Sequence, residues 1–85
     1  MLNDSPQRSS RVRFNVLKGK NILTGHNEIF EIDDVAVLIW KSCNGKMSIE
    51  EMTKKITEEF DVDQESALRD CQAFLGELSE KSFLQ

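Results

Sequence analysis

Arg11 to Val16 reads R-V-R-F-N-V, a strict alternation that puts Val12, Phe14 and Val16 on one strand face and Arg11, Arg13 and Asn15 on the other. Lys18-Gly19-Lys20-Asn21 supplies turn residues, Ile22-Leu23-Thr24 a second short strand, Gly25-His26-Asn27 another turn, and Glu28 to Ile32 (EIFEI) a third strand. The pattern predicts a three-stranded meander. On its third strand Phe30 and Ile32 are read on one face, with Ile29 on the opposite face beside Glu28 and Glu31.

The period then changes to that of helices. Asp33 can cap a first helix, because its carboxylate accepts from the orphan N–H groups of the first turn, and Asn44-Gly45 supplies a stop. Between them every face is apolar, which predicts a helix buried all round with Val35, Leu38, Ile39 and Trp40 as the central pillar. Ser48-Ile49-Glu50-Glu51 is a capping box that starts a second helix, with a stripe of Ile49, Met52, Ile56 and Phe60. Asp63 caps a third helix. On it Ala67, Leu68, Cys71, Phe74, Leu75 and Leu78 fall in one arc of roughly 120°, and Phe83-Leu84 can fold back to close the core.

Three short strands followed by three helices, one of them fully apolar, need each other to bury their faces. The expected architecture is α+β and winged-helix-like, in the order βββααα, over residues 11–85. Residues 1–10 (MLNDSPQRSS) are polar and without an apolar period, and are expected to form a flexible tail.

Charge narrows the function. With 85 residues, a net charge of −4 and a pI near 4.9, the chain is a poor partner for nucleic acid, whose affinity comes largely from Lys and Arg displacing counterions. In a winged helix the later helix would enter the major groove, yet here Arg69 and Lys81 are outnumbered by Glu65, Asp70, Glu77 and Glu80. No run approaches a membrane span and no signal-peptide core opens the chain, so a cytoplasmic location without membrane contact is expected. Cys43 and Cys71 lack CxxC spacing and read as reduced, packed thiols.

Catalytic constellations are missing from the pattern. His26 is the single histidine and sits in a turn, no Gly-rich phosphate loop or nucleophile elbow occurs, and the paired acids Glu50-Glu51 and Glu58-Glu59 lie on helix surfaces. The expectation is a protein with no catalytic residues, metal or cofactor of its own. Recognition by an exposed strand edge is what the pattern leaves: if the third strand is an edge, an extended peptide can add to it, with Ile29 and a flank of the third helix as a pocket. An equally open reading is that Ile29 packs on a loop and Glu28 and Glu31 merely blunt the edge.

Three segments carry a family resemblance. Phe30-Glu31-Ile32-Asp33-Asp34-Val35-Ala36-Val37-Leu38-Ile39-Trp40 with Asn44-Gly45, then Ser48 to Met52, then Asp70-Cys71-Gln72-Ala73-Phe74-Leu75-Gly76-Glu77-Leu78 together resemble the PqqD-like family, also called RiPP recognition elements. The likeness spans about Val12 to Leu84, and departs from the family pattern at Asp33 (usually Asn), Val35 (usually Thr) and Ser82 (usually Gly). It implies a non-catalytic peptide chaperone that takes the leader of a ribosomally made precursor as an antiparallel strand and presents it to a tailoring enzyme, commonly a radical-SAM enzyme. Carried onto this chain, it implies Glu28, Ile29, Phe30, Glu31 and Ile32 as the pairing edge, Ala67, Asp70, Cys71 and Phe74 as pocket wall, and Arg69 as a rim charge. The opposite flank of the helix, with Gln72 and Gly76, is the other candidate wall. The alternatives are a winged-helix regulator and a structural subunit of an enzyme complex, and an exposed edge permits either a monomer or a dimer.

Overall fold

The computed structural model describes residues 5–85. Its elements are β1 (Arg13–Leu17), β2 (Lys20–Gly25), β3 (Glu28–Ile32), α1 (Asp34–Ser42), α2 (Ile49–Glu59) and α3 (Gln64–Glu80), the order expected from the sequence. The strands form one antiparallel sheet in the order β1-β2-β3, which leaves β1 and β3 as edges.

Both hairpins close in two residues. Lys18 and Gly19 have φ of 52° and 78°, and His26 and Asn27 have φ of 50° and 63°. Positive φ at both central residues gives the turn a twist that matches the strands it joins. The register is thereby fixed: Phe14, Leu23 and Phe30 stand in one row across the sheet, with Leu23 fully buried between them.

The row corrects one reading of β3. Glu28 has the same parity as Phe30 and Ile32 and therefore lies on the core face, where its carboxylate pairs with Lys81 Nζ at 3.6 Å. Only Glu31 shares the outer face with Ile29, and Ile29 packs on no loop, since 78% of it is exposed.

Asp33 caps α1 as expected, its Oδ1 accepting from the Ala36 amide at 2.8 Å. The helix is not buried all round, however. Ala36, Ile39 and Trp40 enter the core, whereas Val35, Val37 and Leu38 are only partly covered, Val35 lining one surface concavity beside α1 and Val37 and Leu38 another. On α3, Ala67, Cys71, Phe74, Leu75 and Leu78 are buried, but Leu68 lies at the margin of the arc and is exposed.

The expected tail is, over Pro6–Ser9, a strap; residues 1–4 lie outside the described part. Pro6 is buried, the Arg8 amide donates to Cys43 O and the Ser9 amide to Phe83 O, each at 2.8 Å, and the Gln85 amide donates to Gln7 O at 2.8 Å. The Arg8 guanidinium donates to Lys41 O at 2.9 Å. A cation over the last carbonyls of α1 satisfies groups the helix cannot bond itself and opposes the negative end of its dipole. Tail composition predicted disorder here because nothing local shows that the segment is held between α1 and the C-terminus.

α3 ends in a Schellman motif. The Ser82 amide donates to Ser79 O at 3.1 Å and the Phe83 amide to Leu78 O at 2.8 Å, with Ser82 in the left-handed region at φ 60°. The fully buried Phe83 and Leu78 supply the apolar contact that accompanies such a stop, so the chain does fold back to close the core.

Candidate functional site

β3 is followed at once by α1, and α3 runs alongside both. Phe30 of β3 stacks on Phe74 of α3, with centroids 6.3 Å apart and planes 26° from parallel, and Lys81 lies 5.0 Å over the Phe30 ring. Two aromatic faces so placed gain from contact beyond their burial, and the cation adds an attraction to the ring face. They set the spacing between the strand and the helix.

A groove of about 300 Å³ opens between the start of α1 and α3, next to the C-terminal end of β3, lined by Asp33, Val35, Ala36, Ile39, Asp70, Ala73, Phe74 and Glu77. Its floor is apolar and its walls are acidic. A larger concavity of about 480 Å³ lies on the other side of α1, between that helix and α2, lined by Val37, Leu38, Met47 and Phe60 among others. No strand borders it.

The smaller groove has no strand residue in its lining either, but Asp33 follows directly on Ile32 of β3 and Phe74 stacks on Phe30, so it lies next to that strand. In a hairpin closed by two residues, the flanking pair Gly25↔Glu28 exchanges hydrogen bonds, and the alternation continues through Leu23↔Phe30 and Asn21↔Ile32. Ile29 and Glu31 consequently turn their N–H and C=O groups away from β2, along the free edge. An extended chain laid there finds both donors and acceptors.

The structure divides the sequence-derived wall residues. Asp70 and Phe74 line the groove. Ala67 and Cys71 sit on the same helix but one position further round, fully buried in the core, and cannot touch an incoming peptide. Arg69 is exposed and pairs with Glu65 at 3.5 Å, without lining the groove. Ala73 and Glu77 were missed, as were Val35 and Ile39. Gln72 and Gly76 do not line it either, so the flank of α3 is set as Asp70, Ala73, Phe74 and Glu77. The spacing i, i+3, i+4, i+7 could have grouped these four, but the wall was carried over from the family resemblance, which does not fix the helical phase. Ile29 points to the outer face of the sheet, opposite to Phe30, and contributes backbone rather than a pocket wall.

The thiols are chemically quiet. Cys43 donates to Ile39 O at 3.2 Å. Burial, with a smaller push from the neighbouring Cys71 and a counteracting pull from Arg8, raises the Cys43 thiol to about 12; burial raises the Cys71 thiol to about 11. His26 is exposed but not idle: its Nε2 lies 3.1 Å from Ser82 O and its ring 5.9 Å from that of Phe83, so it ties the β2–β3 turn to the C-terminal segment. Among the described residues no group of three His, Cys, Asp or Glu side chains is disposed to hold a metal, and no helix is long and apolar enough to cross a membrane.

Comparison with known proteins places this geometry. The chain is 26% identical over 78 residues to a PqqA binding protein of Rhizobium meliloti (strain 1021), covering 92% of this chain and 80% of that protein. Among solved structures it is similar to TbiB1 in complex with the TbiA(beta) leader peptide, with 26% identity, 93% and 94% of the two chains covered, and a TM-score of 0.78. The fold is also that of the PqqD truncation of Methylobacterium extorquens PqqCD, described as a stand-alone RiPP recognition element, with a TM-score of 0.81 at 22% identity over 100% of this chain and 95% of that one. The family model described as coenzyme PQQ synthesis protein D matches residues 14–84, nearly the whole βββααα unit, and the chain belongs to the PqqD family.

Proposed function

We propose that this chain binds the leader segment of a ribosomally made precursor peptide as an added antiparallel strand on β3, and presents it to a tailoring enzyme, of the radical-SAM or another class. The observation that carries this is the free edge of β3, with Ile29 and Glu31 backbone groups unpaired by β2, beside a groove whose apolar floor comes from α1 and α3. Main-chain bonds would supply affinity, and alternate side chains entering the groove would supply selectivity. The likeness to TbiB1, a structure that holds a leader peptide, supports the same reading. The covalent chemistry belongs to the partner enzyme, and this chain acts by binding.

Orientation follows from the packing. Asp70 lies by the Asp33 end of β3 and Lys81 by the Glu28 end, so α3 runs antiparallel to β3. A leader antiparallel to β3 therefore runs parallel to α3, its N-terminal part beside Asp33 and Asp70 and its C-terminal part leaving past Lys81. The test is an amide-shift titration of the labelled full chain with the leader encoded beside its gene. Ile29 and Glu31 amides should shift and gain exchange protection, together with Asp70, Ala73 and Glu77. Shifts confined to the concavity between α1 and α2, or to β1, would refute the assignment.

A further inference from the structure

The charge of the groove says what kind of leader it accepts, an inference that rests on the binding mode above. We propose that the leader is cationic and aliphatic at its groove-facing positions, with a Lys or Arg two residues to either side of a bulky apolar side chain. The apolar member is set by the floor, where Val35, Ile39, Ala73 and Phe74 offer nothing to a polar group.

The cationic members follow from the walls. Every charged residue lining the groove is a carboxylate: Asp33, Asp70 and Glu77. The cations nearest in sequence are engaged elsewhere, Arg69 with Glu65 at 3.5 Å and Lys81 with Glu28 at 3.6 Å. Asp33 is committed as the cap of α1 through its bond to Ala36 at 2.8 Å. The Asp70 and Glu77 carboxylates have neither an ion pair nor a hydrogen bond among the described residues. Nor do the three converge as metal ligands, since no group of three such side chains is disposed to hold an ion. What they fit is separate cations carried by one extended chain.

The spacing agrees. Asp70 and Glu77 are seven residues apart on α3, about 10.5 Å along the axis, with Phe74 between them. Along a strand, side chains on one face recur every ~6.8 Å. An apolar side chain over Phe74 thus has its same-face neighbours ~6.8 Å to either side, and a long Lys or Arg stem covers the remaining offset to each carboxylate. An acidic leader would place like charges against Asp70 and Glu77 at the moment both lose water, which discriminates strongly against it.

The experiment is a display selection of random linear 12-residue peptides on the immobilised full chain. The expected result is enrichment of basic-x-aliphatic-x-basic sequences, and a fall in affinity of roughly tenfold for a selected peptide between low and moderate salt. Asp70→Asn/Glu77→Gln should remove the basic preference and most of the salt dependence while keeping the aliphatic preference. Glu58→Gln/Glu59→Gln on α2, which changes net charge equally but lies away from the groove, should leave the preference intact. Enrichment of aliphatic peptides that are neutral or acidic at the flanking positions overturns the proposal, as does an equal loss of basic preference in both double variants. Failure of the underlying site has a different signature: selected peptides would bind equally well to Ala73→Trp, which fills the groove from an exposed helix position.

Discussion

Phe30 and Phe74 stack across the junction of β3 and α3, and the same Phe74 that lines the groove is only 8% exposed. Groove lining and core are therefore one layer thick at this point. A substitution that removes Phe74 removes both functions together.

Phe74→Ala should destabilise the fold by about 3–4 kcal/mol, near the whole stability of so small a domain, and Phe74→Asp should leave it unfolded. Phe30→Ala, at a partly covered position, should cost about 1–2 kcal/mol. Ala73→Trp separates the roles: urea unfolding should be within about 0.5 kcal/mol of the parent, while leader binding is lost. A binding-competent Ala73→Trp would show that the peptide passes elsewhere.

Ser82 stands where the family usually has glycine, and it holds φ of 60° at the C′ position of α3. A side chain in the left-handed region is strained by contact with its own backbone. Ser82→Gly is expected to stabilise the protein by about 0.5–1 kcal/mol, raising Tm by roughly 3–6 °C, without altering peptide affinity. A lower Tm would mean that the serine makes up for the strain by an interaction its hydroxyl provides.

Arg8 donates to Lys41 O at 2.9 Å and so holds the N-terminal strap against the end of α1. Arg8→Ala should cost about 1 kcal/mol, and removing residues 1–9 should cost more, because Pro6 and the amides of Arg8 and Ser9 go with it. Thermal unfolding of the two variants checks the order. An unchanged Tm on truncation would restore the flexible-tail reading.

The two thiols make stability pH-dependent in the alkaline range. Both are raised above their ordinary value of 9.0, so the unfolded chain releases these protons first and the folded chain holds them to about pH 11. Stability is then fully kept below pH 9 and falls above it, by about 1.4 kcal/mol per pH unit for each thiol. Urea unfolding between pH 8.5 and 10.5 should show this slope, and Cys43→Ala/Cys71→Ala should flatten it. Neither thiol should react with a maleimide at pH 7 until the protein unfolds.

Much of this could be read from the chain because its signals are local. Alternation gave β1, the turn residues gave both hairpins, and Asp33, Ser48 and Asp63 gave three helix starts, each confirmed by a side-chain oxygen accepting a backbone N–H. Such signals need only residues within three or four positions of one another. The edge status of β3 stayed conditional in the sequence, and the strand order β1-β2-β3 supplied it.

What tertiary structure decided was phase and neighbourhood. The family resemblance named Ala67, Asp70, Cys71 and Phe74 together, but a rotation of one position separates a buried Ala67 and Cys71 from the flank of α3 that lines the groove, Asp70, Ala73, Phe74 and Glu77. That rotation is fixed by how α3 packs on α2 above all, and on α1 and the sheet through contacts such as Phe30 with Phe74, between residues far apart in the chain. The strap at Pro6–Ser9 was hidden for the same reason, since its partners Cys43 and Phe83 carry no mark of it. The sequence by itself determined the elements and their order, because caps, turns and periods act over a few residues. Which carboxylates line the groove was decided only when distant elements met.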